Sequence, residues 1–344
     1  MTIEQGEKGA KKGGRKWPKR VGMVVGGVVA LLGMAAGVLE LRSPSQRPVD
    51  ATKRYGASNP ERVARGKYIA NAEAHCMDCH SERDWKTHGG PALPGLEGAG
   101  WNVPAAENHM PGRVFAPNIT PDVETGIGAL SDDAIARALR EGVSHDGRAL
   151  FMMPWKNFRG LSDDDVGAVI AYLRSLAPVS KRREVTKIDP PVSWMVKAMP
   201  EPLTAPVPAT TTTDPVARGR HLAQVGQCQD CHTPVDARHQ PLPGMAFAGG
   251  QEFVLGGVTY RSANITPHAS GISHYDEALF IKTIRTGNVG GRRLAPIMPW
   301  LAMRDLSDDD LKALWAYLKT VAPVAHDVER APLEVAANPT VAEH

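Results

Sequence analysis

The sequence predicts an all-α protein with two tandem helical domains and long loops, preceded by one transmembrane helix. Three observations predict this architecture. Much of the chain is an internal repeat, helix-capping residues stand before segments of helical hydrophobic periodicity, and one uncharged run is long enough to cross a bilayer. No stretch shows the sustained polar–apolar alternation that is typical of a β-strand.

The uncharged run covers residues 21–39, VGMVVGGVVALLGMAAGVL. A helix of this length rises roughly 28 Å, close to the thickness of a bilayer core. Residues 1–20 carry a net charge of +5, so they should stay cytoplasmic while the chain after the helix is exported. A cleaved signal peptide is the alternative, although the run is long for one. The rest of the chain carries −2, which gives no indication of nucleic-acid binding.

Several motifs recur in the same order, between 145 and 153 residues apart. The longest pair is LSDDDVGAVIAYLRSLAPV (161–179) and LSDDDLKALWAYLKTVAPV (306–324). This period predicts a duplicated domain and excludes a solenoid. The predicted organisation is a basic cytoplasmic tail (1–20), a transmembrane anchor (21–41), a linker (42–58), domain 1 (59–180), a proline-rich linker (181–213), domain 2 (214–325) and a C-terminal tail (326–344).

Each copy should contain an opening, a middle and a closing helix. In the first copy, the expected N-cap residues of these helices are Asn59, Ser131 and Ser162. In the second copy they are Asp214, a residue near His274, and Ser307. Pro178 and Pro323 should end the closing helices, because proline cannot continue a helix. Gly66 and Gly219 should let each opening helix approach its closing helix.

All four cysteines of the chain lie in two copies of Cys-x-x-Cys-His. Two thiols three positions apart can each add to a vinyl group of a porphyrin, and the histidine that follows can then bind the iron. The pattern therefore predicts two covalently bound haem c groups. Cys76, Cys79, Cys228 and Cys231 would form the thioethers, and His80 and His232 would be axial ligands.

Other uses of paired cysteines explain this pattern less well. A thioredoxin-like redox pair has no obligatory histidine after it. A structural zinc ion needs four ligands, and a cluster of the four thiols would leave both histidines unused. A disulfide within each motif would leave the long loops without anything to pack around.

The second axial ligand should stand at matching places in both copies, and Met153 and Met298 do so. Met/His ligation raises the reduction potential. Bis-histidine ligation is the alternative, with candidates that lack a clear counterpart in the other copy: His75, His109, His145, His268 and His274. Met152 is expected to fill the core. Trp155 and Trp300 are expected to wall the haem.

Two further pairs of residues could support the haem. The carbonyls of Pro94 and Pro243 are hypothesised to accept a hydrogen bond from the iron-ligating imidazole, the alternative being that both prolines simply form turns. Asn118 and Asn264 should either hold a propionate or close a turn.

The order of these motifs resembles cytochrome c, whose closing helix matches Ala-Tyr-Leu at 171–173 and 316–318. Asn-Ile-Thr-Pro, Met-Pro and Leu-Ser-Asp-Asp-Asp are similar to elements of the multihaem cytochrome c subunits of membrane-bound bacterial alcohol and gluconate dehydrogenases. The resemblance covers 59–180 and 214–325 and implies tandem cytochrome c-like domains around covalently bound haem. Such subunits commonly carry three haems, whereas this sequence has two motifs.

The resemblance implies a dihaem c-type cytochrome anchored in the bacterial inner membrane, with its haem domains in the periplasm. Electrons would come from a periplasmic dehydrogenase or a quinol-oxidising partner and pass to a cytochrome or terminal oxidase. Full ligation of both irons predicts an electron-transfer protein or the cytochrome subunit of a dehydrogenase complex, without catalytic residues. A dihaem peroxidase or a thiosulfate-oxidising cytochrome is the alternative.

Overall fold

The computed structural model describes residues 19–103, 110–209, 212–236 and 239–329. They belong to two compact units, Met1–Ser43 and Pro44–His344. Most of the predicted tails 1–20 and 326–344, together with His109, lies outside the described residues.

The first unit contains one helix, α1 (Lys19–Leu41), among its described residues. The segment Gly22–Leu41 has a mean hydropathy of 2.2 and is long and apolar enough to cross a membrane. The predicted apolar helix is therefore present, and both an anchor and a signal sequence have this length and composition.

The helices of the second unit follow the same order in both copies of the repeat. We refer to residues 59–180 as the first half and to 214–325 as the second half. The first half contains α2 (Pro60–Tyr68), a π-helical turn (Ile69–Glu73), α3 (Cys76–His80), α4 (Asp132–Glu141), α5 (Trp155–Phe158) and α6 (Asp163–Ser175). After α7 (Val192–Val196), the second half contains α8 (Pro215–Val225), α9 (Cys228–His232), α10 (Glu277–Thr286), α11 (Trp300–Met303) and α12 (Asp308–Leu318).

The predicted helix caps are confirmed by their hydrogen bonds. Asn59, Ser131, Ser162, Asp214 and Ser307 each accept a bond from a backbone N–H of the first turn. The remaining N-cap is Asp276, two residues beyond the expected position. Both closing helices, α6 and α12, end before the prolines that were expected to stop them.

In each half the opening helix packs against the closing helix at a glycine. A Cβ atom on Gly66 would lie 1.8 Å from the carbonyl oxygen of Ala168, and one on Gly219 would lie 1.9 Å from that of Ala313. Only glycine permits this approach, as the sequence predicted. The predicted apolar faces of α6 and α12 are buried in two hydrophobic clusters, one in each half.

Short antiparallel ladders supplement the helices, so the fold is mostly rather than wholly helical. β1 (Trp101–Asn102) pairs with β3 (Phe115–Ala116), β2 (Gly112–Arg113) with β4 (Lys187–Ile188), β5 (Glu252–Leu255) with β6 (Val258–Arg261), and β7 (Asn288–Val289) with β8 (Arg292–Arg293). Strands of two to four residues are too short to show alternation in the sequence.

Residues 181–209, which we term the strap, lie along the first half. Lys181 and Arg183 form ion pairs with Glu82 at 2.8 and 2.6 Å. Further along, the strap carries β4, and the carbonyl of Val207 accepts a hydrogen bond from the N–H of Asp163 at 2.9 Å. The segment predicted to be a linker is thus attached to the first half along its length.

Candidate cofactor sites

Each Cys-x-x-Cys-His motif forms one short helix, α3 or α9. Residues three apart on a helix lie on one face, so the two thiols of each motif point to the same side. The residues before these helices, His75 and Gln227, have left-handed backbones with φ of 37° and 57°. The four cysteines are not joined in disulfides. Two free thiols on one face of a short helix fit attachment to a single flat ring.

The thiols are poor candidates for a zinc site. Burial raises the pKa of Cys76 and of Cys228 to about 12, so both thiols are protonated at neutral pH when no metal is bound. Within the described ranges, no group of three or more His, Cys, Asp or Glu residues is arranged to hold a metal ion. The residues fit covalent attachment of a porphyrin better than a zinc cluster.

The two motif histidines are held by equivalent hydrogen bonds. Nδ1 of His80 donates to the carbonyl of Pro117 at 2.9 Å, and Nδ1 of His232 donates to that of Ala263 at 2.7 Å. Because a carbonyl can only accept, this bond fixes the tautomer in which Nε2 carries a lone pair. Desolvation lowers the pKa of both imidazoles, which also favours the neutral, metal-binding form.

Nε2 of each ring is left for another partner. Among the described residues, none forms a hydrogen bond with Nε2 of His80 or of His232. A ring that is anchored at Nδ1 and open at Nε2 fits an axial ligand of haem iron.

The hypothesis that Pro94 and Pro243 accept these bonds is wrong. Pro94 is followed by Gly95 with φ of 79°, and Leu96 N–H donates to Leu93 O at 3.0 Å, so the proline lies in a tight turn. Pro243 occupies the same kind of turn, since Gly244 has φ of 74° and Met245 N–H donates to Leu242 O at 3.2 Å. The alternative, turn prolines, is confirmed.

Met153 and Met298 lie in equivalent surroundings. Each is partly buried against the hydrophobic cluster of its own half. The carbonyl of each accepts a 2.8 Å hydrogen bond from the N–H of the tryptophan two residues later. In contrast, Met152 is 42% exposed, so the prediction that it fills the core is wrong. Of the two neighbours, it is Met153 that packs against the hydrophobic cluster.

Trp155 and Trp300 fix the methionine loop against the middle helix. Trp155 is 1% exposed, and a Cβ atom on Gly142 would lie 2.5 Å from its indole ring. Trp300 is 8% exposed, and a Cβ atom on Gly287 would lie 2.7 Å from its indole ring. Both glycines end their helix in a left-handed conformation. The tryptophans therefore position the methionines, whether or not they also wall the haem.

Asn118 and Asn264 close turns. Nδ2 of Asn118 donates to Thr125 and to the carbonyl of Val179, while its Oδ1 accepts from the N–H and hydroxyl of Thr120. Asn264 makes the matching bonds, with Ser270, Val324 and Thr266 as partners. These bonds occupy both ends of each amide and tie the loop to the chain after the closing helix. Nothing in this arrangement favours the alternative of a propionate ligand.

The alternative histidine ligands have other contacts. Nε2 of His75 donates to the carbonyl of Gly226 at 3.1 Å, which joins the two halves. Nδ1 of His268 is 2.9 Å from the hydroxyl of Ser270, and the ring of His274 meets Tyr275 edge-on. His145 lies beside Ser144 at 3.4 Å.

Known proteins similar to this chain were found at both domain and whole-chain level. The model of the cytochrome c family matches residues 63–177. The chain is 30% identical, over 76% of its length, to the cytochrome c subunit of a quinone alcohol dehydrogenase from Gluconobacter oxydans, and 30%, over 77%, to the gluconate 2-dehydrogenase cytochrome c subunit of Pantoea cypripedii. It spans only 55% and 60% of those proteins.

A shorter relative is matched over most of its length. The chain is 26% identical to a dihaem c-type cytochrome of Cereibacter sphaeroides, over 81% of this chain and 92% of that protein.

Proposed function

We propose that this chain, which carries a cytochrome c domain and is homologous to cytochrome c subunits of quinone-dependent dehydrogenases, is a membrane-anchored dihaem electron carrier. The observation that carries the proposal is the matched pair of histidines, each anchored at Nδ1 and open at Nε2. Tandem domains at 59–180 and 214–325 would each bind one haem c.

The residues present fit such a group. Bound haem supplies a one-electron couple between ferric and ferrous iron. Cys76 and Cys79 would attach one haem, and Cys228 and Cys231 the other. His80 with Met153, and His232 with Met298, would provide the axial ligands. The chain's contribution is to hold these donors rigidly, so that little rearrangement accompanies a change of charge.

The methionine loop has the same contacts in both halves, which favours a carrier over an enzyme. A dihaem peroxidase needs one iron with a free coordination position, so one half should lack its methionine or hold it differently. Here both halves keep Met-Pro-Trp, with the same backbone hydrogen bond and the same packing of tryptophan on glycine. A thiosulfate-oxidising cytochrome with a cysteine ligand would need a cysteine outside the two motifs, and the sequence has none.

The names of the relatives support a dehydrogenase as partner. In this proposal electrons enter from a periplasmic dehydrogenase or a quinol-oxidising partner and leave to a cytochrome or terminal oxidase. Residues 21–41 would anchor the chain in the bacterial inner membrane, with the basic segment cytoplasmic and both haem domains in the periplasm.

Spectroelectrochemical titration of the membrane-extracted, full-length protein tests the proposal. We expect two low-spin haems per chain. Met153→Ala and Met298→Ala should each lower one potential and leave the other nearly unchanged, because the thioether favours ferrous iron. Met152→Ala is the matched control, since its exposed side chain should affect neither potential.

Two results would contradict this function. A mass without two porphyrin additions would exclude the dihaem assignment. Ready binding of carbon monoxide by the wild-type protein as isolated would favour the peroxidase alternative.

A further inference from the structure

The segment that joins the opening helix to the first cysteine is one residue longer in the first half than in the second. Val63 and Cys76 are 13 positions apart, whereas the matching Val216 and Cys228 are 12 apart. The first half accommodates the additional residue in the π turn Ile69–Glu73, while α8 continues as an α-helix to Val225. Single π turns within helices are rare and are frequent at functional sites.

The π turn places a buried glutamate between the two halves. Glu73 is 2% exposed, and its Oε1 accepts hydrogen bonds from Arg65 and from Arg218, both at 2.8 Å. These arginines are equivalent residues of the repeated Val-Ala-Arg-Gly sequence. One carboxylate thus joins the same arginine of both opening helices. At the matching position, three residues before the first cysteine, the second half has Val225, whose side chain cannot make such a bond.

The same arginines bind the closing helices. Nε of Arg65 donates to Asp165 at 3.1 Å, and Nε of Arg218 donates to Asp310 at 2.7 Å. The hydroxyl of Tyr68, in α2, also donates to Asp310 at 2.5 Å and accepts a bond from the N–H of Ser307 at 2.8 Å. The network centred on Glu73 therefore connects the opening and closing helices of both halves.

This junction lies at the start of both Cys-x-x-Cys-His helices. Glu73 is three residues before Cys76, and its carbonyl oxygen would lie 3.4 Å from a Cβ atom on Gly226, two residues before Cys228. Nearby, His75 donates to Gly226, and Asn157 of the first half donates to Asp230 of the second at 2.5 Å. A shift at the junction would therefore move one motif relative to the other.

The charges indicate what the network contributes. Oε2 of Glu73 is buried and receives no hydrogen bond from any described residue. A buried network that is only partly satisfied adds little stability, because desolvation offsets the attraction between its charges. Its best-attested use is to select one arrangement among several. Losing Glu73, however, would remove the carboxylate that the guanidinium groups of Arg65 and Arg218 share, and each would keep only the aspartate of its own closing helix.

We propose that Glu73 is a positioning residue that sets the distance and orientation between the two Cys-x-x-Cys-His motifs. The part of this inference that concerns haem rests on the proposed function. The part that concerns the docking of the two halves does not.

Cleavage between the halves tests the docking directly. A protease site placed in the run Thr210–Thr213 of the full-length protein would separate the halves covalently. After cleavage, we expect the two pieces of the wild type to co-elute in gel filtration. Glu73→Gln should abolish co-elution. Glu61→Gln, an exposed glutamate in the same helix, is the matched control and should behave as the wild type. Co-elution of the Glu73→Gln pieces would overturn the proposal.

A second variant covers the possibility that Glu73→Gln does not fold. Arg218→Lys keeps the charge but cannot bridge Glu73 and Asp310 with a planar guanidinium group. Its cleaved pieces should also separate, and their co-elution would equally overturn the proposal.

A spectroscopic readout separates positioning from general stability. Two fixed, neighbouring haems should give a two-signed circular dichroism band in the Soret region. We expect uncleaved Glu73→Gln to retain two haems by mass but to lose this band, while Glu61→Gln keeps it. A retained band in Glu73→Gln would contradict the proposal. If the wild type carries no haem, the proposed function fails, but the gel-filtration result still decides the role of Glu73.

Discussion

In the first half the opening helix ends in a π turn that carries a buried glutamate, whereas in the second half it runs on as an α-helix to Val225. Elsewhere the halves agree closely. Both have a glycine where the opening and closing helices meet, and both anchor the motif histidine through Nδ1. The shared features serve the site within each half. The feature found in one half serves the contact between them.

The methionine loops show a second difference. Met152, beside Met153, is 42% exposed, while Ile297, beside Met298, is half-buried. The ring of His88, from the first half, stacks on Trp300 at 5.8 Å and covers part of the second loop. One methionine loop therefore faces solvent while the other is partly covered by its neighbour. In the proposed function, an external redox partner would have easier access to the first.

The largest effect on stability is expected from substitutions at the two glycine crossings. These substitutions test whether the crossings are equally tight. Gly66→Ala and Gly219→Ala each place a methyl group within 2 Å of a backbone carbonyl oxygen, at 1.8 and 1.9 Å. We expect each change to lower the free energy of unfolding by about 3 kcal/mol, measured by chemical denaturation. Gly160→Ala is the control, because nothing lies within 4 Å of its added methyl group. A mild effect in one half alone would show that the crossings are not equivalent.

An intermediate effect is expected from the turn asparagines. Asn118→Ala and Asn264→Ala remove matching sets of hydrogen bonds from buried side chains. Each change should lower the free energy of unfolding by about 2 kcal/mol, measured by chemical denaturation, because backbone groups lose their hydrogen-bond partners. Asn102→Ala, on an exposed position of β1, should have almost no effect. If haem were retained less well in these variants than their stability explains, the propionate alternative would regain support.

The smallest effect concerns acid pH. Burial would raise the pKa of Asp310, but hydrogen bonds from Arg218 and Tyr68 outweigh it and hold this pKa below its ordinary value of 3.8. The resulting stabilisation is present above pH 3.8 and is lost as the pH falls through the lower pKa of the folded protein.

Comparison of variants measures this contribution. The wild type should exceed Asp310→Asn by roughly 1 kcal/mol in the free energy of unfolding near neutral pH. The difference should shrink as the pH falls below about 3.8 and through the lower pKa of the folded protein. Asp309→Asn, an exposed neighbour on α12, should match the wild type throughout. A difference that did not change with pH would mean that Asp310 acts through packing alone.

Features set by a few neighbouring residues could be predicted from the sequence. The caps at Asn59 and Ser162 follow from side chains that bond the first turn of their own helix. The repeat likewise indicated the glycine crossings. The pairing of each histidine with a methionine on a late loop stays a prediction. Two copies of one pattern constrain an interpretation more than either copy does alone.

Features set by tertiary packing could not be predicted. The carbonyls that bind His80 and His232 belong to residues 37 and 31 positions away, and no local pattern indicates them. The one-residue difference before Cys76 is visible in the sequence, but it does not show where the additional residue is accommodated. Met152 and Met153 look alike in the sequence, and only the folded loop distinguishes the exposed side chain from the partly buried one.

The strap has a consequence for the order in which the protein matures. Arg47, ahead of the first half, binds Asp133, and Val207, well beyond α6, binds Asp163. A chain that is delivered from its N-terminus therefore cannot form all the contacts of the earlier half until Val207 has arrived. Completion of one half would then coincide with the arrival of the other.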